Sequence, residues 1–110
     1  MLKKQFRLPA RIRLADPSIV STPFFIIRIA QNGMDYNRYG FVVPKKVDKR
    51  AVIRNTIKRR IRNCIEEMEK NLQKGNDMLF FLKKEAINQE RAVFYEVLEK
   101  QLKTKGILRI

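Results

Sequence analysis

The chain has 110 residues, of which 45% are hydrophobic and 33% charged, so it can form one domain with a single modest core and is not compositionally disordered. A net charge of +14 weakens a compact state through self-repulsion and therefore indicates a polyanionic partner, nucleic acid first and an anionic membrane surface second. Histidine is absent, which removes the commonest general base and metal ligand and makes the chain alone a poor catalyst.

The first 23 residues contain three prolines and show no sustained hydrophobic period. We expect a mostly irregular arm, with at most a short helical turn at residues 17–20. Residues 24–30, FFIIRIA, are rich in aromatic and β-branched residues and predict a strand. Residues 31–37, QNGMDYN, predict a turn, and residues 38–44, RYGFVVP, predict a second strand. We expect these two strands to form a hairpin.

The first of these strands has two different faces. Phe25, Ile27 and Ile29 alternate along it and should face the core, which leaves Phe24, Ile26 and Arg28 on the other side. An arginine among apolar neighbours suggests that this second face binds the ligand, with Phe24 available for stacking. Core packing of Phe24 is an equal alternative.

Residues 45–62, KKVDKRAVIRNTIKRRIR, combine nine Lys or Arg with apolar residues at helical spacing. At about 100° per residue, one stripe holds every large apolar residue from Ile53 onward: Ile53, Ile57, Ile61, Cys64, Ile65, Met68 and Leu72. The pattern predicts a core-facing helix over residues 49–72 that ends near Gly75. The position of Cys64 in the stripe favours a buried structural thiol over a nucleophile.

The side of this helix opposite the stripe is basic. Asn55, Arg59 and Arg62 share one outward patch with Lys58 beside it, while Arg54 and Arg60 lie on the flanks of the stripe. Cations on a rigid helix match phosphate oxygens, and an amide can bind a sugar hydroxyl, a base edge or a metal-bound water. The alternative is a merely solvated face, but such faces mix acids with bases, so nucleic-acid binding is favoured.

The end of the chain completes a small α+β fold. Residues 77–83, DMLFFLK, predict a central strand, and residues 88–103 predict a helix with Phe94, Val97, Leu98 and Leu102 on one face. The order β–β–α–β–α predicts a two-layer sandwich of a three- to four-stranded sheet with helices on one side. The strand–helix–strand passage over residues 38–83 could place its two strands parallel.

The charge and the single cysteine suggest where the protein works. Residues 1–63 carry a net charge of +13 and residues 64–110 only +1, so the binding surface should come from the first part of the chain. One cysteine rules out an internal disulfide and fits a reducing compartment. No apolar run approaches the roughly 18 residues of a membrane span, and no secretory signal is visible. We therefore expect a cytoplasmic protein without a membrane partner.

Two neighbouring segments, GFVVPKK at residues 40–46 and KRAVIRNTIKRRIR at residues 49–62, resemble the signature of the bacterial ribonuclease P protein subunit. The resemblance covers residues 24–108 and implies a left-handed β-α-β crossover. It also implies an accessory subunit of an endoribonuclease, one copy in a ribonucleoprotein whose RNA removes the 5′ leader of precursor tRNA with Mg²⁺. The chain would bind that catalytic RNA and guide the leader through a cleft between the sheet and a helix, and would contribute no catalytic residue.

The resemblance also implies roles for individual residues. Phosphate and RNA contacts fall on a set of basic residues and one amide: Lys45, Lys46, Arg50, Arg54, Asn55, Lys58, Arg59, Arg60 and Arg62. Phe24 and Arg28 are the candidates for leader binding, and Asn55 is the candidate for a metal site. Thr56 stands where the family usually has a second arginine, so that phosphate contact is missing or comes from Arg60.

The first 23 residues also depart from the family. An Asp-Phe-x-x-Val pattern in the family's first helix, whose aromatic residues line the leader cleft, is absent from residues 6–21. Two alternatives stay open at this point: a stand-alone RNA-binding module such as a ribosomal protein, and a protein-only nuclease. The missing histidine and the lack of a carboxylate cluster speak against the nuclease.

Overall fold

The strands and helices follow one another in the order β–β–β–α–β–α in the computed structural model, which describes residues 4–9 and 12–109. The strands are β1 (Ser18–Ser21), β2 (Phe25–Gln31), β3 (Arg38–Val42) and β4 (Asn76–Leu82), and the helices are α1 (Ala51–Met68) and α2 (Arg91–Thr104). Short 3₁₀ turns occur at Lys4–Phe6, Glu69–Asn71 and Lys84–Ala86. Along the described ranges, no helix is long and apolar enough to cross a membrane.

The sheet order is β1-β2-β4-β3, with β2 antiparallel to both neighbours and β3 parallel to β4. The predicted hairpin between the strands now numbered β2 and β3 is therefore wrong, because β4 lies between them. Strand β4 is apolar on both faces, with Met78, Leu79, Phe80 and Leu82 all buried, which suits the interior of a sheet. The parallel pairing of β3 and β4 confirms that β3, α1 and β4 form a β-α-β unit. The left-handed crossover of this unit stays a prediction from the resemblance.

The first strand corrects the expected irregular arm. Residues 18–21 pair with β2, from Ser18 opposite Ile29 to Ser21 opposite Ile26, instead of forming a helical turn. The strand is short because Pro17 precedes it and a tight turn at Thr22 follows it. The Thr22 hydroxyl donates to the carbonyl oxygen of Phe25 (2.9 Å), and its oxygen accepts from the backbone N–H of Phe25 (3.0 Å).

One face of the sheet, which we call the core face, packs against both helices. The predicted set of Phe25, Ile27 and Ile29 is confirmed on this face, opposite Leu82, Phe80 and Met78 of β4. The predicted apolar stripes of both helices are confirmed as well, with buried side chains at the following positions: Ile57, Ile61, Cys64, Ile65 and Met68 of α1, and Phe94, Leu98 and Leu102 of α2. The helices therefore lie on one side of the sheet, as predicted.

The other face of the sheet, which we call the open face, carries Ile19, Ile26, Arg28 and Phe81. Ile19 is 60% exposed and lies opposite Arg28 in the β1–β2 register. The N-terminal arm covers one end of this face, because Leu8 donates its N–H to the Tyr39 carbonyl (2.7 Å) and is buried. Arg28, on the same face, is exposed.

Candidate nucleic-acid interface

The start of α1 is built by an aspartate and two arginines. Asp48 Oδ1 accepts from the backbone N–H of Arg50 (2.8 Å), and its two carboxylate oxygens accept from the Arg50 guanidinium at 3.1 and 2.8 Å. These hydrogen bonds lower the pKa of Asp48 to about 2. Arg54 donates to the carbonyl oxygens of Asp48 and Lys49, both at 2.9 Å. Two of the predicted RNA-binding arginines therefore also hold the turn that leads into the helix.

The surface around this turn is strongly positive. Lys45, Lys46 and Lys49 are exposed, and the first turn of α1 contains no acidic residue. The N-terminal end of a helix carries a partial positive charge of about half an elementary charge, which these lysines reinforce. The arrangement favours phosphate groups over any cation.

Asn55 and Arg59 project outward from α1 and are exposed, as predicted. Thr56 does not supply the missing phosphate contact, because its hydroxyl donates to the Val52 carbonyl one turn earlier (2.8 Å). Val52 itself is 68% exposed, so this outer side of the helix is mixed in polarity.

Arg62 and Lys58 differ from the predicted single patch, because both turn toward strand β3. The Arg62 guanidinium carbon lies 5.6 Å from the ring centre of Phe41. Lys58 is half-buried and lines the same small cavity as Arg62 and Phe41. The predicted patch thus divides into an outward pair, Asn55 and Arg59, and a pair at the edge of the sheet, Lys58 and Arg62.

Arg60 is held by the loop that precedes α2. One guanidinium nitrogen, Nη1, donates to the Gln89 carbonyl oxygen (3.0 Å) and lies 3.5 Å from that of Ile87. This contact connects α1 to the loop before α2, whose two carbonyl oxygens lie outside any helix or strand. Arg60 therefore does not replace the arginine that the family usually has at the position of Thr56.

A groove of about 460 Å³ lies on the open face, beside the junction of β3 and α1. Its floor includes Ile26 and Phe81, and the guanidinium carbon of Arg28 lies 4.7 Å from the centre of the Phe81 ring. Lys46, Lys83 and Lys84 also line it. A ring with a stacked arginine inside a cationic groove can hold single-stranded nucleic acid.

Phe24 does not share this face with Arg28, contrary to prediction. The turn at Thr22 makes β2 begin at Phe25, so the alternation of side chains does not extend back to residue 24. The Phe24 ring packs edge-on against Phe94 of α2, with 6.3 Å between ring centres. The alternative of core packing therefore describes Phe24, and the aromatic residue of the groove is Phe81.

Sequence reasoning missed Phe81, Lys83 and Lys84 as groove residues. In β4 both alternating sets of positions are apolar, so neither set could be assigned to a face from the sequence alone. The pairing of Ile26 with Phe81 supplies the missing information, because partners across two strands point to the same side. Only the register of β2 and β4 therefore reveals the groove.

The described residues do not assemble a metal site. Within residues 4–9 and 12–109 no group of three acidic or cysteine side chains is placed to hold an ion. Asn55 offers one neutral amide oxygen on an exposed helix face whose first turn has no carboxylate. These residues do not fit a metal ion held by the protein alone, and a contact of Asn55 with a metal in a complex stays a prediction.

A sequence model described as Ribonuclease P matches residues 12–106 of the chain. The chain belongs to the ribonuclease P protein family. It is 31% identical over 84 residues to the ribonuclease P protein component of Caldanaerobacter subterraneus subsp. tengcongensis, which covers 76% of this chain and 72% of that protein. It is 35% identical over 80 residues to the component of Thermotoga maritima, covering 72% and 68%.

The fold agrees with a solved structure of the family. The ribonuclease P protein from Thermotoga maritima superposes with a TM-score of 0.73 at 27% identity, covering 81% of this chain and 84% of that one. As a member of the family, the chain is the accessory protein subunit of the endoribonuclease ribonuclease P, which acts in tRNA processing, and its partner is the RNA of that enzyme. This membership decides against the stand-alone module and the protein-only nuclease.

Proposed function

We propose that the basic side of α1 docks the chain on the catalytic RNA of ribonuclease P, while the groove on the open face holds the 5′ leader of precursor tRNA. The observation that carries the proposal is the stack of Arg28 on Phe81 in a groove that Lys46, Lys83 and Lys84 also line. A leader is single-stranded, and proteins bind such strands by stacking bases on aromatic rings within a positively charged channel.

The two surfaces can be occupied at the same time. Helix α1 packs on the core face, whereas the groove lies on the open face. Lys45 and Lys46 lie between them in the connection from β3 to α1, and Lys46 is itself part of the groove wall. Positive charge is therefore continuous from the helix to the groove, which supports a single protein copy that contacts both RNAs.

The contribution of the chain to the reaction is binding and charge neutralisation. Two polyanions repel each other when a precursor tRNA approaches a catalytic RNA, and lysine and arginine side chains between them reduce that repulsion. Hydrolysis and its Mg²⁺ belong to the RNA in this proposal. We therefore expect the protein to lower the Mg²⁺ concentration that the RNA needs for cleavage.

Leader length provides the test. With the reconstituted enzyme, Arg28→Gln and Phe81→Leu should each weaken binding of a precursor with a leader of about ten nucleotides by roughly 5- to 150-fold, which corresponds to the loss of about 1–3 kcal/mol that removing one base stack causes. A precursor with a leader of about one nucleotide should bind the variants as it binds wild type, because it does not reach the groove. Affinities are measured by filter binding at constant salt.

Control variants separate the groove from α1. Lys100→Gln removes one exposed charge from α2 and should leave both affinities unchanged. Arg59→Gln should weaken binding of the catalytic RNA itself and flatten its salt dependence, with no dependence on leader length. Equal losses for short and long leaders in the Arg28 and Phe81 variants would show that the groove does not hold the leader.

A further inference from the structure

A cavity of about 490 Å³ lies beside the last residues of β2, whereas the groove on the open face lies beside the first half of that strand. The two share no lining residue. The apolar lining of the cavity includes Ile29 and Ile107, which are both buried. Its polar lining consists of Asp16, Ser18, Gln31, Gln73, Asn76 and Lys105. Small ligands bind in cavities of about 300–1,000 Å³ that combine apolar walls with a few polar groups.

Strand β1 ends before it reaches this cavity. It pairs with β2 only from Ser18 opposite Ile29 onward. Continuing the same register would place Asp16 opposite Gln31, but the backbone of Asp16 is left-handed, with φ at 48°, and Pro17 lies between it and the strand. The chain therefore leaves the sheet at this point, and Gln31 has no strand beside it on the β1 side.

The backbone N–H and C=O of Gln31 point into this gap. Successive residues of a strand between two antiparallel neighbours direct these groups to one neighbour and then to the other. Asn32 donates its N–H to the Gly75 carbonyl (2.9 Å), next to β4, so Gln31 must face the β1 side. On that side no hydrogen bond from a described residue reaches Gln31. The cavity thus contains an adjacent backbone donor and acceptor that are both available.

Asp16 adds a second acceptor. It is the one acid that lines the cavity, and it forms no ion pair within the described ranges. The nearby Lys105 does not neutralise it, because its ammonium group donates to the Ser18 hydroxyl oxygen (2.9 Å). An ionised carboxylate only accepts hydrogen bonds and repels anions, so this cavity does not suit a phosphate group.

The number of open groups favours a nucleobase over a peptide. A peptide that adds to a sheet edge pairs along several residues, whereas the open stretch of β2 is the single residue Gln31. An unpaired base needs one adjacent donor and acceptor for its Watson–Crick edge and apolar side chains for its faces. Ile29 and Ile107 provide the apolar contacts.

Guanine is the base whose edge matches these groups. Its carbonyl oxygen accepts from an N–H, its ring N–H donates to a C=O, and its amino group donates to a further acceptor. Adenine has a C–H at that third position, and cytosine and uracil have an oxygen, which a carboxylate does not bind. We propose that this cavity binds one unpaired guanine base, with the backbone of Gln31 on its carbonyl and ring N–H and with Asp16 on its amino group.

This inference goes beyond the proposed function, because neither α1 nor the groove takes part. The guanine comes from the catalytic RNA, from the precursor tRNA or from a free guanine nucleoside. The chemistry of the site is the same in all three cases, and the experiments distinguish them.

Nucleosides test the site without a phosphate group that the basic surfaces would attract. In nitrogen–proton NMR spectra of the whole protein, guanosine should shift the Gln31 amide signal. Adenosine should bind roughly 5- to 150-fold more weakly, which is the discrimination that one bidentate contact to a base edge provides. Inosine, which lacks the amino group, should also bind wild type more weakly than guanosine does.

Asp16→Asn should bind guanosine and inosine equally, because the charged acceptor for the amino group is lost. Asparagine also adopts positive φ, so the turn before β1 should be kept. Asp35→Asn is the matched control, since it removes the same charge from an exposed position that does not line the cavity. It should retain the preference of wild type for guanosine.

Kethoxal, which reacts with the ring N–H and the amino group of unpaired guanine, identifies the source. Wild type should protect one guanine in the catalytic RNA or in the precursor tRNA, and Asp16→Asn should leave that guanine reactive. Protection in neither RNA, together with a Gln31 shift specific to guanosine, would assign the cavity to a free nucleoside. Equal shifts with guanosine and adenosine, no shift with either, or a guanosine preference that survives in Asp16→Asn would each overturn the inference. The leader-length series and the Arg59→Gln variant test the proposed function independently of these results.

Discussion

Single residues of the basic segment serve the fold and the surface together. Asp48 is the only acid within residues 45–62, and it binds Arg50 through both carboxylate oxygens. Arg50 in turn has a raised pKa because of this hydrogen bond. The pair sets the direction in which the chain enters α1, and so determines where Asn55 and Arg59 project. Asparagine at position 48 would keep one acceptor oxygen but lose the charge and the second oxygen that bind the Arg50 guanidinium.

The pH dependence of stability tests this role of Asp48. Its pKa in the folded protein is about 2, below the ordinary value of about 3.9, so the folded state favours the charged form. The stabilisation should be complete above about pH 5 and should be lost as the pH falls from about 4 to about 2. Urea unfolding of wild type and Asp48→Asn should therefore differ at neutral pH and converge near pH 2. A carboxyl titration by NMR with a midpoint near 4 would contradict the assignment.

Residue roles could be predicted from the sequence where one physical property decides them. Cys64 lies in an apolar stripe, and the structure confirms a buried thiol that donates to the Arg91 carbonyl (3.5 Å) and whose pKa burial raises to about 11. Phe24 and Arg60 could not be placed, because a turn and a distant loop decide where their side chains go. Such contacts join residues far apart in sequence and leave no local pattern.

Helix α1 shows how one element separates stability from binding. Ile61 is fully buried on one side, whereas Arg59, two residues earlier, is exposed on the other. Ile61→Ala should lower the free energy of unfolding by about 2–5 kcal/mol, through lost burial and the cavity that remains. Arg59→Gln should change it by no more than about 0.5 kcal/mol and should act on RNA affinity instead. Chemical denaturation of both variants, beside wild type, measures the difference.

The opposite pattern would refute this division of the helix. If Arg59→Gln destabilised the protein as much as Ile61→Ala, the basic side would be packing against the protein and would not be presented to RNA. A circular dichroism spectrum unchanged from wild type at low temperature would show that Ile61→Ala still folds, so that its RNA affinity can be compared.

Elements were predictable from the sequence to different degrees. Both helices and three of the strands follow from periodicity and composition, since an apolar stripe or an alternating face must be buried. The neighbours of each strand do not follow, because β2 and β3 are joined by a short turn and still pair with β4 on either side. Strand β1 could not be found either, since only its pairing with β2 makes so short and polar a segment extended.

The whole molecule carries its charge unevenly, and this supports the proposal that one chain binds RNA at more than one surface. Residues 1–63 hold nearly all of the net positive charge, and they form the arm, β1, β2, β3 and most of α1. The outward side of α1 comes from this part of the chain, whereas the groove also takes Phe81, Lys83 and Lys84 from the second part. The remaining residues supply β4, α2 and most of the acids, and they complete the core with a net charge of only +1.

A net charge of +14 should make salt act in opposite directions on folding and on binding. Salt screens repulsion among the exposed cations, since the Debye length falls from about 10 Å at 0.1 M to about 3 Å at 1 M, so the free energy of unfolding of the isolated protein should rise with sodium chloride. RNA affinity should fall over the same range, because binding releases counterions from the RNA. Urea unfolding and filter binding, measured in the same buffers between about 0.1 M and 1 M salt, provide both curves. The partly buried pair of Arg38 and Asp77, at 2.7 Å, is screened less than the exposed charges and should not reverse the trend in stability. An unfolding free energy that falls with sodium chloride would mean that attractive ion pairs outweigh the repulsion. The net charge would then no longer be an argument for a polyanionic partner.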